Sequence, residues 1–82
     1  MSAKEKIRKE RFINYELYAL LSSIDRDINN VIACTDEDRQ EVTAVKVTYF
    51  DGREDVVVNI FGDSLAAIVK DVIDKLFFGG AR

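Results

Sequence analysis

Apolar and polar residues alternate along this chain with two different periods, and the periods divide it into elements. From Ile13 onward, Leu17, Leu20, Leu21, Ile24, Ile28, Val31 and Ile32 recur every three or four residues. That spacing places them on one face of a helix. Ser2-Ala3-Lys4-Glu5 precedes them and fits a capping box, in which Ser caps the helix and Glu reaches back. The pattern predicts a helix over residues 3–33, about 45 Å long at 1.5 Å per residue. A short strand over Ile28 to Thr35 is the alternative, because Asn29 and Asn30 are poor helix formers. Continued helix is preferred because the apolar spacing stays in phase. Residues 35–40 then read as a polar loop.

The period changes to two over residues 42–50 and 54–61, where Val, Thr, Tyr and Phe concentrate around Asp51-Gly52. This is a hairpin signal. A two-residue turn pairs Val47 with Val56, Val45 with Val58, Thr43 with Ile60 and Tyr49 with Glu54. One face then collects Val45, Val47, Val56, Val58 and Ile60, the parity that a core-facing sheet needs. The other face carries Val42 opposite Phe61, Lys46 opposite Val57, and Phe50 opposite Arg53. So much apolar surface on an outer face suggests an interface, with Val42, Phe50, Val57 and Phe61 as its candidate residues.

Helical spacing returns with Leu65, Ile68, Val69, Val72, Ile73, Leu76 and Phe77, predicting a helix over residues 64–78. Asp63 or Ser64 is its expected N-cap, Lys75 complements its C-terminal dipole, and Gly79-Gly80 suits a left-handed C-cap. The fold class is thus α+β, an α-β-β-α chain with both helices on one face of an antiparallel hairpin. Two strands make a marginal sheet, so a homodimer is expected.

Length and composition narrow the function. Eighty-two residues make one domain. A single cysteine, Cys34, excludes an intrachain disulfide, and with no histidine a structural zinc site is not expected. No apolar run follows the opening Met-Ser-Ala-Lys-Glu-Lys, and no stretch approaches the roughly 20 apolar residues of a membrane span. A cytoplasmic protein without membrane attachment is the expectation. Net charge is −3 and unevenly spread, with +3 over residues 1–11 and −6 over the remainder. A basic arm for an acidic partner has this signature, as does a solvated helix end.

Gly62-Asp63-Ser64-Leu65 resembles the nucleophile block of the GDSL lipases and esterases, in which the serine attacks an ester carbonyl with help from a downstream Asp and His. The resemblance covers four residues. No histidine is present to take the serine proton, so Ser64 is expected to cap a helix instead. Asp36, Glu37 and Asp38 lack calcium-loop spacing, and Asp71 and Asp74 read as surface partners of Lys70 and Lys75. Cys34 has no basic neighbour in sequence to activate it. A non-enzyme without cofactor or metal is expected.

The polar face of the first helix offers a candidate surface. Opposite the Ile13–Ile24 stripe lie Lys4, Arg8, Arg11 and Tyr15, flanked by Phe12 and Tyr18. Arg and Tyr are enriched at binding hot spots. Arg8, Arg11, Phe12, Tyr15 and Tyr18 are therefore the expected partner-binding residues, unless the aromatics cover the second helix or a dimer mate. The favoured expectation is a non-catalytic protein-interaction module, an adaptor, inhibitor or regulator of the small type carried by phages and mobile elements, acting as a homodimer. A nucleic-acid-binding regulator using Lys4, Arg8, Lys9 and Arg11 is the alternative. A small-ligand sequestering protein with a pocket at a dimer interface is the third.

Overall fold

The computed structural model describes residues 3–60 and 64–78. Its first helix consists of α1 (Ala3–Arg11), a π-helical stretch (Phe12–Leu17) and α2 (Tyr18–Ile24). Three strands follow, β1 (Ile28–Asp36), β2 (Glu41–Tyr49) and β3 (Val56–Asn59), and then α3 (Leu65–Phe77). The antiparallel sheet has the order β1-β2-β3. Ile13, Leu17 and Leu21 from the first helix and Ile68 and Val72 from α3 share one core with Val31, Val45, Val47 and Val58. Both helices thus cover one sheet face, as the α+β pattern required.

The first helix stops well short of residue 33. Asp25 takes an extended conformation (φ −129°, ψ 106°), and its Oδ1 accepts the Asp27 N–H at 3.0 Å. This side-chain turn competes with the helix backbone. The chain beyond it pairs with β2 as a third strand, so the architecture is α-β-β-β-α. Ile28 and Val31 are both buried three residues apart, which mimics helical spacing. The cause is a β-bulge: Ile28 pairs with Tyr49 and Asn30 with Thr48, leaving Asn29 as an extra residue.

A second bulge corrects the outer face. Cys34 pairs with Ala44 but Thr35 with Val42, so Thr43 is the extra residue and the side-chain parity flips there. Val42, expected outside, is a core residue. The β2–β3 register is the expected one, with Val47 on Val56, Lys46 on Val57 and Val45 on Val58. The Ile60 N–H also donates to Thr43 O at 3.0 Å. The ladder ends at Val47–Val56, however, and the tight pair Tyr49–Glu54 does not form. The Phe50 N–H instead donates to Asp27 O at 2.7 Å, holding the end of β2 to the β1 side.

The π-helical stretch serves the core. Lys9, Ile13, Leu17 and Leu21 are all buried at intervals of four. In a straight α-helix, four residues overshoot a full turn by about 40°, so three such steps would carry the row off the sheet. A π-turn holds about 4.4 residues, so the same four fall short by about 30°. Alternating the two geometries keeps the row over the strands.

Candidate functional site

The basic and aromatic face of the first helix is exposed, and it borders a groove. Arg8 and Arg11 lie in solvent and Tyr15 is 70% exposed. Lys4, Ile7, Arg8, Arg11, Phe12 and Glu16 line the groove from the first helix, and Leu65 closes it from the start of α3. Its volume is about 340 Å³. Three cations and one carboxylate, Glu16, therefore share the groove with apolar surface from Ile7, Phe12 and Leu65. Such a groove, with three cations against one anion, suits a ligand that combines apolar surface with negative charge.

Not every expected residue lies there. Phe12 is half-buried, with one side on the groove and the other against the core. Tyr18 packs against the core and lines no part of the groove. Lys9, grouped with the basic residues in the nucleic-acid reading, is only 6% exposed and follows the core row. It borders a smaller space of about 280 Å³ with Glu5, Arg8, Ser64 and Leu65. Of the outer-face candidates, Phe50 is 69% exposed and Val57 52%, Val42 is buried, and Phe61 lies outside the described residues. The outer face also gains Ile32, 39% exposed, from the added strand.

Ser64 is the N-cap of α3, and its Oγ accepts the Ala67 N–H at 3.1 Å. Gly62 and Asp63 of the esterase-like block lie outside the described residues. Lys70 and Asp74 form the expected i,i+4 ion pair at 3.1 Å. The Asp36 carboxylate accepts the N–H groups of Asp38 and Arg39, so it caps the β1–β2 turn.

Two features escaped the sequence. At one end of the sheet, the Arg53 guanidinium lies 2.9 Å from Asp51, 3.1 Å from Asp25 and 3.8 Å from Asp27. It also stacks over the Tyr49 ring, 4.0 Å from the centroid. Hydrogen bonding to Arg53 holds the Asp51 carboxyl below its ordinary range, and Asp51 in turn raises the guanidinium's pKa. Burial raises the Tyr49 phenol. This cluster ties the α2–β1 turn to the β2–β3 loop. The only hint in sequence was three aspartates beside turn positions.

The second feature is Asn14, whose Oδ1 accepts the Ala33 N–H of β1 at 3.1 Å. An asparagine inside a helix is unfavourable unless its side chain has other work, and that cost was the available signal. Among the described residues, no group of three or more Cys, Asp or Glu side chains is placed to hold a metal ion, and no helix is long and apolar enough to cross a membrane. No protein-family model matches this sequence, and neither does any curated protein or solved structure.

Proposed function

We propose that this chain is a non-catalytic protein-interaction module that acts as a homodimer and takes its partner on the exposed face of the first helix. The observation behind this reading is the groove beside that face, where Lys4, Arg8 and Arg11 rim the apolar surface of Ile7, Phe12 and Leu65. Tyr15, one helical turn on from Arg11 and 70% exposed, adds an aromatic anchor on the same helix. Arg and Tyr carry a disproportionate share of interface energy because each combines apolar area with directional hydrogen bonds. The matching partner is a protein segment with an apolar side chain for the groove and acidic side chains for its rim.

Arg11→Ala combined with Tyr15→Ala tests the assignment, since both residues are exposed and neither is in the core. Wild-type and variant baits are compared in extract from the source cell by quantitative mass spectrometry, with circular dichroism as the control for folding. Proteins enriched by wild type should be lost with the variant. Identical enrichment on the two baits would remove this face from consideration. The same three cations favour a second reading, contact with nucleic-acid phosphates. A salt series on random duplex DNA separates the two, because phosphate binding weakens steeply with salt.

A further inference from the structure

The two edges of the sheet are finished differently. In β1, the residues paired through hydrogen bonds with β2 are Asn30, Ile32 and Cys34, so the N–H groups of Val31 and Ala33 point away from the sheet. Both are occupied. Val31 N–H donates to Asn30 Oδ1 at 3.2 Å, and Ala33 N–H donates to Asn14 Oδ1 at 3.1 Å. Side chains that fill the outward donors of an edge strand prevent another strand from adding there.

In β3 the bond from Ile60 to Thr43 and the register fix Val56, Val58 and Ile60 as the residues bonded to β2. The main chain of Val57 and Asn59 therefore points outward, and no described residue bonds to it. Val57 is also 52% exposed. Val69, Ile73, Leu76 and Phe77 of α3, the helix in contact with β3, are only partly buried.

We infer that two copies of this chain pair through β3, antiparallel about a twofold axis at Val57, forming one six-stranded sheet. The inference rests on the homodimer reading above and specifies its surface. A second copy is the occupant because the strand is self-complementary in this register. Val57 faces Val57 of the partner subunit, each donating its N–H to the other's carbonyl. Val56 faces Val58 of the partner subunit on the core side. Asp55, whose carboxylate already lies 3.4 Å from the Lys46 ammonium, faces Asn59 of the partner subunit and so meets no like charge, which would be unfavourable directly across a ladder. The outward groups of Val57 and Asn59 are both used.

Val57→Pro is the test, read by light scattering over a concentration series. Proline removes the outward N–H of residue 57 and leaves the bonds from β3 to β2 in place, so it is tolerated on an edge strand and not in the middle of a sheet. Wild type should have twice the 9.3 kDa chain mass and Val57→Pro the single mass, with unchanged circular dichroism. A dimeric Val57→Pro would overturn edge pairing and leave the homodimer standing on another surface. A monomeric wild type at every concentration would overturn both. Should the proline variant unfold, Val57→Cys in a Cys34→Ser background decides. A short bis-maleimide should join two such chains, because the paired Cα atoms would lie about 5.5 Å apart. Asn59→Cys in the same background should not be joined, since its partner position is residue 55. Equal cross-linking at the two positions, or none at residue 57, overturns the register and the pairing.

Discussion

Two residues in the β2–β3 loop carry most of its conformational demand. Gly52 has φ +90°, a region that L side chains rarely adopt, although a Cβ there would meet open space. Gly52→Ala should therefore cost about 1 kcal/mol through backbone strain alone, lowering Tm by about 4–8 °C in a domain of this size. Thermal unfolding followed by circular dichroism checks it. Asp51 supplies the loop's ionic link. Its carboxyl is held below the ordinary range by Arg53, so the folded state binds that proton less readily than the unfolded chain. Stability from this contact is complete above the usual aspartate pKa of about 3.9 and disappears as pH falls through the lower folded value. Asp51→Asn should lower Tm at neutral pH and leave it unchanged in strong acid, flattening the acid side of the stability profile. Parallel acid slopes for variant and wild type would mean that the contact adds nothing, as is common for exposed ion pairs.

Among the elements, the hairpin and α3 were legible because their signals are local. Alternation along Val45, Val47, Val56 and Val58 fixes a face, and the register followed from that parity. The first helix misled for a physical reason. A bulge at Asn29 separates Ile28 from Val31 by three residues, and a bulge at Thr43 separates Val42 from Val45 by three. In both places one extra residue turns a period of two into a helix-like interval. The first extended the helix in the sequence reading, and the second put Val42 on the wrong side. The candidate site was legible in part. Arg8, Arg11 and Tyr15 followed from helical geometry, whereas the groove needed the start of α3, and no periodicity reports how two helices meet. Asn14 joins two elements in the same non-local way. Asn14→Ala should leave the helix intact and expose the Ala33 N–H, costing about 1 kcal/mol and opening β1 to intermolecular pairing. Light scattering should then detect species heavier than the wild type as concentration rises.

The whole molecule is small and uneven in charge, with a basic first helix on an otherwise acidic chain. A partner steered to the groove by charge would associate more slowly as salt rises, while its dissociation would follow the apolar contacts of Phe12 and Leu65. The three-stranded sheet carries a related asymmetry. Were both edges receptive, each added chain would present a fresh one, and growth could continue without limit in the manner of a fibril. With the Val31 and Ala33 donors of β1 occupied, a pair joined through β3 would present a less receptive edge at each end. In such an assembly two amides, Asn14 against Ala33 and Asn30 against Val31, would be the groups that limit growth along β1.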